Sequence, residues 1–205
     1  MPNNPPNLTG KRLDKALYEA LEQRGGVVLG EDHFDPAVMQ SVAQLMGGLR
    51  ARGLDVVSLE IPQKMVDVYN NARSVEDIKT TYPSLIAHEA EAMFVLVSAC
   101  KRCGVRVMGH EHYDYYDEYA RFPADMNDDE RLARGMQGIR DMHSKEGVAL
   151  RNDTARERLK PLLEQGERVL VISGAAHCWP VRIKGQAQAD LPRFSGAPRT
   201  LSRSL

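Results

Sequence analysis

Four apolar runs of strand type in this chain each end in acid or histidine. Val27-Val28-Leu29-Gly30 leads into Glu31-Asp32-His33, and Val56-Val57-Ser58-Leu59 leads into Glu60. Val105-Arg106-Val107-Met108-Gly109 leads into His110-Glu111-His112, and Val169-Leu170-Val171-Ile172-Ser173-Gly174 is soon followed by His177. In an open parallel sheet covered by helices, ligands bind outside the carboxyl ends of the strands. Strand ends carrying imidazole and carboxylate groups therefore predict an α/β fold: a mainly parallel sheet flanked by helices, with one polar cleft at that edge. They also point to an enzyme, or to a binder of a metal or cofactor.

The segments between these runs have helical periodicity. Leu13, Ala16, Leu17, Ala20 and Leu21 predict a helix over 12–24, stopped by Gly25-Gly26. Asp35-Pro36 is a helix start, with Asp as N-cap and Pro at the first helical position. That helix continues through Val38, Val42, Leu45, Met46 and Leu49 to Gly53. With a strand at 55–59 this is the spacing of a βαβ unit. Residues 61–82 predict short helices in an insertion, 83–102 a long helix, 105–109 a strand and 168–172 the last strand of the core. The Tyr- and Asp-rich stretch 113–129 predicts a loop or short helix over the cleft. Asn127-Asp128-Asp129 can cap a helix through Ser144, and a further helix covers 147–165. The expected division is a flexible N-terminus at 1–11, one α/β domain at 12–191, and a tail at 192–205. That tail is either an edge strand near Arg193–Ser195 or disordered.

A chain of 205 residues can bury a sizeable core. Its 27 basic and 28 acidic residues leave a net charge of -1, which gives no reason to expect a nucleic-acid partner. No apolar run approaches the ~20 residues that span a bilayer. Met1 to Gly10 lacks the basic-then-apolar pattern of a Sec leader, so none is expected. The three cysteines, Cys100, Cys103 and Cys178, suit a reducing compartment rather than a disulfide scaffold. Cys100-x-x-Cys103 has no second pair and reads as thiols at a helix end, not as a zinc site.

Glu31 and His33 share one face of an extended chain. A carboxylate there can fix an imidazole as general base or ligand, although the same residues also suit a plain capping loop. Glu60 ends an apolar strand, where a carboxylate must be paired or exposed. His177 follows small residues that leave room above a sheet. His110 and His112, on either side of Glu111, are of metal-ligand type. With His33, Glu60 and His177 they make up the candidate metal set, and Asp114 and Asp117 are further oxygen donors if their loop folds inward. Alternating histidines also occur without metal, in which case Glu111 is simply solvated. Trp179 reads as a packing residue. His88 does not start a zinc-protease helix, because position 92 is Ala. It and His143 read as surface helix residues. There is no Walker A loop and no Gly-x-Ser-x-Gly elbow.

Taken in order, Gly30-Glu31-Asp32-His33, Glu60, Arg151-Asn152 and Gly174-Ala175-Ala176-His177 resemble the erythromycin-esterase/ChaN-like superfamily. Its relatives include Tiki/TraB proteins, a domain of the Pasteurella dermonecrotic toxin and the HopBA-type type III effectors. The resemblance implies two His, the Glu and the Arg gathered at one end of an α/β sheet. His33 and His177 would be general base or ligands, and Glu31 and Glu60 would orient an imidazole or hold metal. Arg151 would bind an anionic group or stabilise an oxyanion. From its sequence setting alone, Arg151 is one of several helix arginines, with Arg156 and Arg158. The chain lacks the helical elaboration that would enclose a macrolide, which points away from macrolide hydrolysis and toward stand-alone effectors.

The function implied is a hydrolase-like virulence effector. It would be made in the bacterial cytoplasm, delivered into a host plant cell by a type III system, and able to trigger cell death there. Its substrate would be a small molecule or peptide, and its partner a host protein. The alternatives are a haem or metal binder drawing on His110, His112 and Cys178, and a non-catalytic effector acting through a partner surface. No cofactor is fixed by the sequence; a divalent metal ranks ahead of haem.

Overall fold

A computed structural model of the protein describes residues 11–31, 36–83, 85, 87–113, 122–123, 125–174 and 193–195. Helix α1 (Lys11–Arg24) buries Leu13, Leu17, Ala20 and Leu21, the stripe expected from its spacing. It ends where Gly25 takes a left-handed φ of 69°, a conformation that favours glycine. Strand β1 (Gly26–Glu31) follows, then α2 (Pro36–Ala51) with Pro36 at its first position. Asp35, the expected cap, lies outside the described residues. Strand β2 (Leu54–Leu59) completes the βαβ unit.

The 61–82 region forms the short helices α3 (Gln63–Asn71) and α4 (Val75–Thr81). Helix α5 (Ala87–Arg102) is shorter than its expected start at Pro83. A turn comes first instead, with the Leu85 N–H donating to the Tyr82 carbonyl at 3.1 Å. After β3 (Arg106–Gly109) the chain forms α6 (Asp128–His143) and α7 (Lys145–Glu164). Asn127 and Glu130 build a reciprocal capping box at the start of α6. The hydroxyl of Ser144 then accepts from the Gly147 N–H at 2.9 Å and caps α7. Strand β4 (Arg168–Gly174) and the short β5 (Arg193–Ser195) complete the sheet, β5 lying where the tail was open to an edge strand.

The five strands run in the order β3-β2-β4-β1-β5, and every pairing is parallel. Successive side chains alternate between the two faces of a sheet. On one face Val27, Leu29, Val57, Leu59, Leu170 and Ile172 join a core built with α1, α2 and α5. Leu54 reaches this face as well, because the β2–β4 register shifts between Leu54 and Val56. On the other face Val28, Val56, Val169 and Val171 pack against Leu159 and Leu163 of α7. Among the described residues no helix is long and apolar enough to cross a membrane.

Candidate functional site

The second face changes character along its length. Val56 is followed on that face by Ser58 and then Glu60, and Val171 by Ser173. Helix α7 follows the same gradient. Its buried residues Arg151, Ala155, Leu159 and Leu163 recur every four positions, so they share one face. A tight turn joins α7 to β4, so the helix runs back along that strand. Leu159 and Leu163 therefore cover the valines, and Arg151, two turns earlier, covers the carboxyl ends of the strands.

Arg151 is buried between two carboxylates; its side chain is 4% exposed against 7% for Glu60 and 5% for Glu111. Its Nε donates to Glu111 Oε2 at 2.8 Å, with Nη2 ion-paired to the same oxygen at 2.7 Å, and Nη2 donates to Glu60 Oε1. The other Glu60 oxygen accepts from Ser173 Oγ at 2.8 Å and from the Gly174 N–H. Glu111 Oε1 accepts from the backbone N–H groups of His112 at 2.7 Å and Tyr113 at 3.1 Å. Every carboxylate oxygen is thus engaged, and charge-assisted hydrogen bonds of this kind are the strong ones. The buried Nη1 of Arg151 has no hydrogen-bond partner among the described residues.

The chain after β3 is held in place independently. Arg158 Nη1 donates to the carbonyls of Gly109 at 2.9 Å and Glu111 at 3.3 Å, and Gln63 Oε1 accepts from the Gly109 N–H at 2.9 Å. A Cβ at Gly109 would lie 2.3 Å from the Ile61 carbonyl oxygen, so only glycine lets β3 end this close to the β2–α3 connection. The β1–β4 register sets Glu31 beside Gly174, which places its backbone at the same edge.

The structure brings together Glu60 and Arg151 of the expected set and adds Glu111. Glu111 is buried and ion-paired, not solvated. It also separates the two imidazoles expected to act with it. His110 is buried, with Nδ1 2.9 Å from Ser58 Oγ, whereas His112 is exposed, with Nδ1 3.1 Å from Thr154 Oγ1. Among the described residues no three His, Cys, Asp or Glu side chains gather to hold a metal ion. Arg151 is not the solvated helix arginine its sequence setting suggests. His33 and His177, the Glu31 side chain, Asp114, Asp117, Cys178 and Trp179 lie outside what is described. His88 and His143 are exposed on helices, as expected. Ser58, Ser173 and Arg158 were not singled out beforehand. The two serines do leave a signal: each interrupts an apolar run, on the same face.

No known family profile matches the chain, and no curated protein matches it. Solved structures do. The type III effector HopBA1 superposes with a TM-score of 0.55 over 95% of this chain and 87% of that one, at 13% identity. The likeness is one of fold. RRSP, a MARTX toxin effector domain from Vibrio vulnificus, superposes with a TM-score of 0.53 over 92% of this chain, at 20% identity. The matched part is 36% of the RRSP chain. The erythromycin-esterase/ChaN resemblance rests on the short motifs alone.

Proposed function

We propose that this protein is a bacterial virulence effector, exported into a host cell by a type III route, and that its carboxyl-edge site carries out hydrolysis. The fold it shares with two effector proteins supports the first part. The second rests on one observation: a buried Glu60 whose two oxygens are fixed by Arg151, Ser173 and the Gly174 N–H at the carboxyl edge of a parallel sheet. A carboxylate held this way is preorganised to orient an imidazole or a water. Two imidazoles are tethered to this edge in sequence, His33 two residues after Glu31 and His177 three after Gly174.

In this reading one imidazole takes a proton from water as the water oxygen attacks the scissile carbonyl. The second gives a proton to the leaving group as the bond to it breaks. Glu31 and Glu60 hold the imidazoles in the required tautomers. Arg151 is too enclosed to meet a substrate directly. It is a positioning residue that keeps the Glu60 carboxylate aimed, a different role from the anion binding that the resemblance implies. A divalent metal or haem finds no donor set among the described residues, since Glu60 and Glu111 already share a cation, and no step is assigned to either.

The test is expression of Glu60→Gln, His33→Ala and His177→Ala proteins in plant leaf cells, scored for cell death beside the unaltered protein. Circular dichroism of the purified variants establishes that each is folded. Loss of the response in all three is expected. Folded variants that retain the full response would remove hydrolysis from the reading and leave an effector that acts by binding.

A further inference from the structure

Helix α6 is an amphipathic helix whose apolar stripe is turned away from the fold. Leu132, Met136 and Ile139 lie along one side and are 66%, 44% and 43% exposed. The residues of α6 that pack belong to the neighbouring stripe of Arg131, Gly135, Gly138 and Met142, and Gly138 alone is fully buried. Two interior glycines weaken a helix by about 1 kcal/mol each, so α6 rests on its capping box and on its contact with α7. A contiguous apolar stripe on a helix with so little support marks an interaction surface.

The charges along the stripe identify its occupant. Four and three residues before Leu132 stand Asp128 and Asp129, both exposed. At the other end stand Arg140, four residues after Met136, and His143, four after Ile139, both exposed as well. One end is acidic, the other basic, and Met136 lies midway between them. A second α6 laid antiparallel about a two-fold axis at Met136 sets Leu132 against Ile139 of the second copy. The same rotation brings Asp128 and Asp129 to Arg140 and His143 at both ends. A parallel arrangement would set like charges together. Two-fold homodimers are the commonest oligomers, and their interface is one self-complementary patch. An anionic membrane fits less well, because α6 sets four acidic residues against three arginines and one histidine, with three of the acids in its first turn.

We propose that α6 is the interface of an antiparallel homodimer, with Leu132, Met136 and Ile139 at its centre and the Asp129–Arg140 and Asp128–His143 contacts at its two rims.

Sedimentation equilibrium of the full chain, from low to high micromolar concentration, tests this. The unaltered protein is expected to reach twice the 22.9 kDa chain mass. Leu132→Glu and Met136→Glu, with helical circular dichroism retained, are expected to stay monomeric. Asp129→Arg and Arg140→Asp should each weaken the dimer about tenfold, because the axis repeats every rim contact. Combining them on one chain should restore affinity to within about threefold. The proposal is overturned by a protein that stays monomeric throughout, or by a dimer that Leu132→Glu and Met136→Glu leave intact. It is equally overturned by a monomer whose stripe instead carries the protein onto phosphatidylserine vesicles in a flotation assay.

Discussion

The two faces of the sheet start from the same strands and end in different chemistry. Toward α1, α2 and α5 the strands present Val27, Leu29, Val57, Leu59, Leu170 and Ile172, and the packing there is an apolar core. Toward α7 the same strands present valine at their amino ends and Ser58, Glu60 and Ser173 at their carboxyl ends, beneath Arg151. Burying apolar surface stabilises at about 25 cal/mol per Å² and needs no directional partner. Burying charge costs several kcal/mol per ion unless every group is met. The first face therefore serves stability. The second gives up apolar burial at one end for a rigid, charged arrangement.

The largest test of this contrast is Arg151→Met. It leaves two buried carboxylates without their cation and should cost about 3–5 kcal/mol in urea unfolding. Adding Glu60→Gln and Glu111→Gln should recover part of that loss. A single-variant cost under about 1 kcal/mol would mean that the cluster is open to water, and the contrast would fail. On the apolar face, Leu170→Ala should cost about 3 kcal/mol through the cavity it leaves. The host-cell response per folded molecule should stay unchanged. Ser173→Ala should show the reverse. Loss of one hydrogen bond to a charged group costs only about 1.5 kcal/mol, but Glu60 loses its fixed orientation and the host response should fall with it.

The smallest effect at neutral pH concerns Cys100. Burial pushes its thiol up from 9.0 to about 12. Below pH 9 the thiol is neutral whether the chain is folded or not. Between pH 9 and about 12 only the unfolded chain ionises, so stability falls across that window. Cys100→Ala should flatten the fall in alkaline urea titrations. An unchanged slope would place the thiol nearer water than this core allows.

Much of the fold was legible because it rests on local periodicity. The stripe of α1, the proline start of α2 and the capping residues before α6 each dictate structure within a few positions. Glu60 was legible in part, since a carboxylate closing an apolar strand must be paired or exposed, and the sequence left both open. Glu111 was not. Its neighbours His110 and His112 suggest ligands, yet its partner Arg151 lies 40 residues away on a helix. Arg151, Arg156 and Arg158 look alike in sequence. Only the four-residue spacing of Arg151 with Ala155, Leu159 and Leu163 sets it apart, and that spacing acquires meaning once the sheet beneath α7 is known.

The strand order has a consequence in time. Strands β1 and β2 do not touch; β4, contributed by residues 168–174, fills the gap between them. Ser173 and Gly174, which fix Glu60, arrive on that strand. A chain emerging from a ribosome amino end first thus carries both carboxylates long before it can assemble them. The site stays unformed until residue 174 is through, and then closes in the same step that joins the two halves of the sheet.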